Sequence, residues 1–226
     1  MSEQSARADK SAHPGPDERA ILTRSYLDAL RAADVAGAYR VASRALDGGM
    51  SLAVLYQRVV TPAMHELGRL WEEGVITVAD EHLATALTHR VLAVLRPPEL
   101  FEQAFELSSG KPRAVLAAVQ GEQHALGLRM AADLLEDSGY QIAYLGADVP
   151  TEALLQALRT LSPTLVGLSA TMAESTRRLE DVVEAIRDEH PRLPLLFGGQ
   201  GSRSPHLGEG TPVDDLELLG EKVALP

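Results

Sequence analysis

The sequence contains no cysteine. This absence excludes structural disulfides, thiolate metal sites, thiol nucleophiles and thioether-linked chromophores. Aromatic residues are scarce, at 4% of the 226 residues, and Trp71 is the single tryptophan. The chain also lacks a signal peptide and any apolar run of about 18 residues, the length that spans a bilayer. We therefore expect a soluble, cytoplasmic protein that does not bind a membrane.

Positive charge is scarce as well. The net charge is −11, and the only lysines are Lys10, Lys111 and Lys222. The arginines are spread among acidic residues and form no dense cluster, so direct contact with nucleic acid is not expected. A receiver-type signalling domain needs a lysine beside an acidic cluster, and no lysine lies between Lys111 and Lys222. The motifs of zinc proteases, P-loop enzymes and serine hydrolases are also absent.

The first part of the sequence predicts a helical bundle. Residues 1–16 are small and polar with two prolines, which predicts a disordered leader. From residue 17 to residue 96 apolar residues recur at helical spacing and no strand signal interrupts them. This pattern predicts a four-helix bundle. Ser51 is expected to cap the third helix, which runs to about Glu73 and ends at Gly74.

The fourth helix of this bundle has its own start signal. Thr77 followed by Asp80 is a capping-box-like pair. The apolar spacing then predicts one stripe that faces the bundle core, formed by Ala79, Leu83, Ala86, Leu87, Val91, Val94 and Leu95.

Strand and helix signals alternate after a predicted linker at residues 97–112. The predicted elements are strands near 113–119, 141–145, 164–169 and 194–197, and helices near 126–138, 151–160 and 174–190. A weaker final strand is predicted near 215–219. This alternation predicts an α/β domain over residues 113–226, with a doubly wound parallel sheet of flavodoxin-like, Rossmann-like topology.

The candidate functional feature is a loop between the first strand and the first helix of this domain. The apolar run at 115–119 is followed by GEQHALGL at 121–128, which places His124 in a glycine-containing loop. In open α/β sheets, ligands bind at the carboxyl ends of the strands. An imidazole in this position can bind a metal, and Glu122 can hold its second nitrogen.

Small residues follow two other predicted strands. Ser169 and Thr171 lie at the end of the third strand, and Gly198 and Gly199 follow the fourth. They leave space at the same edge of the sheet. Each of them alone is also explained as an ordinary turn residue, but together with the histidine loop they favour a binding site.

The domain resembles the cobalamin-binding domain shared by methionine synthase, B12-dependent mutases, corrinoid methyl carriers and B12 photoreceptors. The motif of that family is D-x-H-x-x-G, followed by S-x-L or S-x-T and then by G-G. The matching residues here are Glu122, His124 and Gly127, then Ser169 and Thr171, then Gly198 and Gly199. LGADVP at 145–150 is similar to the family's loop after the second strand.

The resemblance implies that His124 binds cobalt from below, in place of the cofactor's own dimethylbenzimidazole. That base and its nucleotide tail would then enter the sheet near Ser169 and Gly198. Glu122 departs from the aspartate of the family. Either acid can accept a hydrogen bond from the ligand histidine, so we expect tuned ligation and not lost binding.

The helical part carries a second resemblance. Trp71, nine further residues and then Glu81-His82 form the W-x9-E-H signature of the B12-dependent photoreceptors. It implies that Trp71 packs against the upper ligand, that Glu81 accepts hydrogen bonds from a ribose, and that His82 approaches the cobalt once that ligand departs. Alone, the three are explained as a core aromatic, a first-turn acid and a surface histidine; the joint spacing favours a cofactor cap.

These resemblances predict a cobalamin-binding light sensor that uses adenosylcobalamin, with methylcobalamin and hydroxocobalamin as other forms. No helix-turn-helix module precedes the bundle, so the output is expected to run through an effector protein or through altered self-association as a dimer or tetramer. A bilin as second chromophore would be held noncovalently, because cysteine is absent.

Two other functions stay open. A corrinoid methyl carrier of a methyltransferase system uses the same His124 site under a similar helical cap and takes part in catalysis, whereas a sensor does not. Such a carrier does not require Trp71 together with Glu81 and His82. The third function is a storage or delivery domain that binds B12 without switching.

Overall fold

The computed structural model describes residues 15–96 and 110–223. The chain divides into two compact units, Met1–Leu95 and Arg96–Pro226. Most of the predicted leader and most of the predicted linker lie outside the described residues.

The first unit is helical throughout its described part. Its elements are α1 (Pro16–Arg31), α2 (Val35–Asp47), α3 (Leu52–Leu55), a π-helical segment (Tyr56–Val60), α4 (Thr61–Glu72) and α5 (Val78–Leu95). The π-helical segment joins α3 to α4, so the predicted third helix is present with one wider turn inside it. The Thr23 hydroxyl donates to the carbonyl of Arg58 at 3.1 Å, which gives a carbonyl of this wider turn a partner.

The two predicted helix starts are confirmed. The Ser51 hydroxyl accepts a hydrogen bond from the Val54 amide at 3.2 Å. At the start of α5, the Thr77 hydroxyl accepts from the Asp80 amide at 3.2 Å, and the Asp80 carboxylate accepts from the Thr77 amide at 2.8 Å. This reciprocal pair satisfies two amides that have no partner inside the helix.

The predicted stripe of α5 is buried at Val91 and half-buried at Leu87 and Leu95, and the prediction is wrong for its other four residues. Leu83 and Val94 are 47% and 62% exposed, and the buried residues are instead Ala84, Thr88, Val91 and Leu92. Apolar residues occur on several faces of α5, so spacing alone does not identify the packed face. The buried Thr88 hydroxyl has a partner, because it donates to the sulfur of Met64, 3.3 Å away on α4.

The second unit is a parallel sheet with helices on both faces. Its elements are β1 (Arg113–Val119), α6 (Leu126–Asp137), β2 (Gln141–Val149), α7 (Thr151–Leu161), β3 (Leu165–Ser169), α8 (Ala173–Glu189), β4 (Leu195–Gly198), β5 (Thr211–Pro212) and α9 (Leu219–Lys222). The strand order is β2-β1-β3-β4-β5, and every pairing is parallel. The predicted flavodoxin-like topology is confirmed.

The predicted final strand at 215–219 is wrong. The edge strand β5 lies earlier, and residues Leu216–Leu218 form a 3-10 turn that leads into α9. The Asp215 carboxylate accepts a hydrogen bond from the Glu217 amide at 2.9 Å, so this aspartate starts a turn and does not pair in the sheet. Pro212 is tolerated in β5 because an edge strand can leave one backbone position unpaired.

The second strand is longer than predicted. β2 continues past residue 145 to Val149, with irregular pairing against β1 on either side of Ala117. Gly146 and Asp148 have positive φ angles of 81° and 54°. The extra residues bulge out of the ladder and bend the strand toward the loop that follows β1.

The core of this unit lies beneath the candidate site. Residues 114–119 of β1 and 165–169 of β3 are buried throughout, as expected for central strands covered on both faces. Leucines of α7 and α8, including Leu158 and Leu179, pack against them in one apolar cluster. The carboxyl ends of β1, β3 and β4 therefore project from a rigid platform.

Candidate functional site at the carboxyl edge of the sheet

The histidine loop lies between the end of β1 at Val119 and the start of α6 at Leu126. The His124 side chain is 63% exposed, whereas the Glu122 side chain is fully buried. The loop thus presents an imidazole to the outside and places a carboxylate behind it.

Glu122 connects two loops. One carboxylate oxygen, Oε1, lies 2.6 Å from Nδ1 of His124 and accepts from the His124 amide at 2.8 Å. The other, Oε2, accepts from the amides of Thr171 and Met172 at 2.6 and 3.2 Å. The structure shows the expected contact between Glu122 and a ring nitrogen of His124, and the bridge to the loop after β3 is an additional finding.

The environment of Glu122 keeps it ionised. Burial alone would raise the pKa of its carboxyl group, but the hydrogen bonds from His124, Thr171 and Met172 outweigh burial and hold the pKa below its usual range. An ionised carboxylate only accepts hydrogen bonds, so Nδ1 of His124 carries the proton in the neutral ring. The lone pair is then on Nε2, the nitrogen that faces away from Glu122 and can bind a metal.

The ends of β3 and β4 meet at the same edge. Ser169 is 5% exposed and pairs with Gly198 across the two strands. Gly199 has a φ of +78°, and a Cβ atom there would lie 2.3 Å from the carbonyl oxygen of Ala170. The fold itself therefore requires glycine at 199.

Two other glycines of the motif have no such requirement within the described part of the chain. A Cβ at Gly127 would meet nothing within 4 Å, and one at Gly198 would meet only the Leu168 carbonyl oxygen at an ordinary 3.8 Å. Internal packing does not explain glycine at these positions, whereas a large ligand lying against the backbone does. Together with an Nε2 of His124 that is able to bind a metal, this open backbone fits a corrin ring with a nucleotide tail.

The cap motif falls in the helical unit. Trp71 is 48% exposed in the last turn of α4. Gly74, with a φ of +69°, ends this helix by donating to the Trp71 carbonyl at 2.9 Å. Glu81 lies in the first turn of α5 and His82 directly follows it, and Oε2 of Glu81 is 2.6 Å from Nδ1 of His82. The other carboxylate oxygen of Glu81 accepts from the Thr85 hydroxyl at 2.8 Å.

Sequence reasoning missed two residues that hold the histidine loop. The Asp148 carboxylate accepts from the Gly121 amide at 2.6 Å, and the Tyr144 hydroxyl donates to the Ala125 carbonyl at 3.2 Å. Both lie on β2: Tyr144 is within the predicted strand, and Asp148 is in the extension that was not predicted. The aspartate in LGADVP was a usable signal, because aspartate side chains bind backbone groups in turns and the residue tolerates a left-handed conformation.

A cavity of about 580 Å³ lies at the opposite, amino-terminal edge of the sheet. Two of its charged side chains bond to backbone carbonyls: Arg187 donates to Leu193, and Lys222 donates to Pro212. These groups are therefore engaged in the fold, and the carboxyl edge remains the candidate site. The described residues contain no cluster of three acidic or histidine side chains that could hold a metal ion, and none of their helices is long and apolar enough to cross a membrane.

The fold and the site define a class of protein: a flavodoxin-like domain that presents one exposed, carboxylate-bound histidine at the carboxyl edge of its sheet, in a chain whose first unit is helical. Comparison with known proteins agrees with this class. Two family models, each described as a B12 binding domain, match residues 22–96 and 112–216. The chain therefore belongs to the B12 binding domain family, and both matches support cobalamin binding.

Individual relatives differ in function. The chain is 35% identical over 152 residues to the HTH-type transcriptional repressor CarH of Myxococcus xanthus, across 66% of this chain and 48% of CarH. It thus spans about half the length of that relative. It is 26% identical over 186 residues to monomethylamine corrinoid protein 1 of Methanosarcina acetivorans, across 80% of this chain and 85% of that protein. The solved Methanosarcina barkeri monomethylamine corrinoid protein shares the fold, with a TM-score of 0.73 at 21% identity over 91% of this chain and 98% of that one.

Proposed function

We propose that His124 is the lower axial ligand of a bound cobalamin, through Nε2, with Glu122 holding the opposite ring nitrogen. The observation that carries this proposal is the buried Glu122 carboxylate, 2.6 Å from Nδ1 of His124 and 2.6 Å from the Thr171 amide. It fixes the tautomer and the orientation of the imidazole before any ligand arrives. Gly127 and Gly198 leave the backbone accessible to the ring and the tail, beside Ser169.

We further propose that the chain is a light sensor that uses adenosylcobalamin. When bound, the cofactor would supply a cobalt that can bind an imidazole nitrogen and a photolabile cobalt–carbon bond. We assign Trp71, Glu81 and His82 to the upper side, as the cap motif implies. Trp71 would exclude water there through its indole, Glu81 would accept hydrogen bonds from a ribose, and His82 would offer a nitrogen to the metal.

The surface around the cap motif supports this assignment. Besides Trp71, the side chains of Val75, Val78 and Leu83 are 58%, 50% and 47% exposed. A group of exposed apolar residues in one short stretch is typical of a surface that covers a ligand or a partner. The contact between Glu81 and His82 holds the imidazole at the start of α5, which gives this histidine a defined position. The identity to CarH, a repressor, adds support for a regulatory role. Signalling would then proceed through an effector protein or a change of self-association.

A methyl-carrier function is the second candidate. The observation in its favour is that the match to monomethylamine corrinoid protein 1 extends over 85% of that protein, whereas the match to CarH extends over 48% of the repressor. In a carrier, His124 and Glu122 keep the same roles. Trp71, Glu81 and His82 have no required part in it.

The test is to load the full chain with adenosylcobalamin in the dark and to illuminate it while absorbance and size-exclusion elution are recorded. For a sensor we expect conversion to a spectrum with two nitrogen ligands, a shifted elution volume, and loss of both in His82→Ala. His65→Ala is the matched control, because His65 is exposed on α4 outside the motif, and it should behave as the wild type.

Two results would reject the sensor. One is a spectral change identical to that of free cofactor with constant elution. The other is an unchanged photoproduct in His82→Ala. Transfer of a methyl group from the methylated, protein-bound corrinoid to a thiol acceptor in the presence of a partner methyltransferase would establish the carrier instead.

A further inference from the structure

We propose that Asp148 is a positioning residue for the histidine loop, and that its carboxylate sets the backbone from which His124 reaches the cobalt. This inference deepens the proposed cobalamin site and rests on it. Asp148 lies near the end of β2, whereas the histidine loop follows β1, so the two segments are separate in sequence and adjacent in the sheet.

Asp148 contacts the loop through two different groups. Its carboxylate accepts a hydrogen bond from the Gly121 amide at 2.6 Å. Its own backbone amide donates to the carbonyl of Glu122 at 3.0 Å. One residue thus binds both the residue before Glu122 and Glu122 itself, and the Glu122 side chain in turn holds His124.

The backbone conformation of Asp148 is part of this arrangement. Its φ angle is +54°, in the left-handed region that few side chains other than aspartate and asparagine adopt readily. This conformation turns the Asp148 amide toward Glu122 while its carboxylate reaches Gly121. Gly121 itself has a φ of +81°, so the loop bends back at the residue that the carboxylate binds.

Asp148 holds the histidine loop although its side chain is exposed. An exposed aspartate in a plain turn would bind water or its own segment. Here both of its contacts go to the other strand's loop, two and three residues before His124. These two hydrogen bonds restrict the backbone of the loop at Gly121 and Glu122. The direction of the His124 side chain is therefore set by its backbone as well as by the contact of Nδ1 with Glu122.

Three substitutions separate the two properties of the residue. Asp148→Asn keeps both an acceptor oxygen and the tolerance for positive φ. Asp148→Gly keeps the conformation and removes the acceptor. Asp148→Ala removes both. Ser162→Gly is the matched control, because Ser162 is also a non-glycine residue with positive φ, at 46°, but it follows α7 and starts the approach to the other edge of the sheet.

Two measurements on the full chain test the proposal. In the cofactor-free protein, amide hydrogen exchange at Gly121 should be about 10-fold faster in Asp148→Gly and Asp148→Ala, and the NMR shifts of the His124 ring nitrogens should move toward those of a mixed tautomer. With hydroxocobalamin, the affinity of the histidine-ligated form should fall roughly 10-fold in Asp148→Gly, more in Asp148→Ala and least in Asp148→Asn.

The proposal is overturned if Asp148→Ala, folded by circular dichroism, leaves Gly121 exchange and the His124 ring shifts unchanged. It is also overturned if Ser162→Gly lowers the affinity as much as Asp148→Gly does. A wild-type protein that takes up no cobalamin would reject the proposed function, and the exchange and ring-shift data would still decide the role of Asp148.

Discussion

Replacing Glu122 by glutamine should destabilise the second unit and misorient His124. The carboxylate accepts four hydrogen bonds, two from His124 and one each from the amides of Thr171 and Met172. The glutamine side chain has one acceptor oxygen and one donor group, so its oxygen can accept either from His124 or from the amides of Thr171 and Met172, but not from both. Either the backbone amides of the β3 loop lose their acceptor, or the imidazole must accept at Nδ1 and carry its proton on Nε2.

The size of the effect follows from these contacts. Two amides left without an acceptor cost about 1–3 kcal/mol each when buried. Thr171 is half-buried and Met172 is exposed, so water recovers part of the loss, and we expect about 2–4 kcal/mol for Glu122→Gln. The aspartate in Glu122→Asp is shorter by one carbon–carbon bond, about 1.5 Å. It should keep its hydrogen bonds to only one of the two loops, and the protein should lose about 1–2 kcal/mol of stability.

The assay is native-state hydrogen exchange of β1 amides in the cofactor-free protein, as a function of pH. The pKa of Glu122 is lowered in the folded state, so its stabilisation is present above the ordinary carboxyl pKa of about 4.3 and is lost as the pH falls through the lower folded value. The difference in unfolding free energy between the wild type and Glu122→Gln should therefore decrease as the pH falls. Glu174→Gln, at a side chain that is 79% exposed, is the control and should change stability by less than about 0.5 kcal/mol. The prediction is refuted if Glu122→Gln and the wild type differ in stability by less than about 0.5 kcal/mol at neutral pH. It is also refuted if this difference increases in acid.

Three further predictions follow from single contacts. Gly199→Ala should destabilise the protein by more than about 2 kcal/mol, because its Cβ would meet the Ala170 carbonyl oxygen at 2.3 Å. Gly127→Ala should leave the midpoint of urea unfolding unchanged and should weaken cobalamin uptake. If the two substitutions had equal effects on stability and on uptake, the proposed site would be contradicted. Thr77→Ala should lower the stability of the helical unit by about 1 kcal/mol, read by the fluorescence of its single tryptophan, and an unchanged midpoint would argue against the capping pair. Burial raises the pKa of Tyr26 to about 12, so an alkaline absorbance titration should show one tyrosine ionising only near that pH, and complete titration by pH 11 would contradict its burial.

Much of the fold could be predicted because its signals are local. The run at 115–119 had to be a central strand, since it is apolar on both faces, and Thr77 with Asp80 marked the start of α5 through a short-range hydrogen-bond pair. The packed face of α5 could not be predicted. Its apolar residues cover more than one face, and only tertiary contacts such as Thr88 with Met64 select among them.

The site was predictable in part for a similar reason. His124 and Glu122 are two residues apart, so their contact follows from one loop. The bridge from Glu122 to Thr171 joins residues 49 positions apart, and the contact of Asp148 with Gly121 depends on a bulge that extends β2. Neither of these two contacts can be read from the spacing of apolar residues in the sequence. The incorrect strand at 215–219 arose from apolar leucines whose local signal Asp215 overrides by starting a turn.

The central claim is a bond between a nitrogen of this protein and cobalt. It is tested most directly by electron paramagnetic resonance of the reduced, paramagnetic cobalt form bound to uniformly ¹⁵N-labelled protein. Ligation by His124 predicts that each cobalt line splits into a doublet from ¹⁵N, and that His124→Ala loses this doublet. Triplets from the cofactor's own ¹⁴N base, unchanged in His124→Ala, would contradict the account.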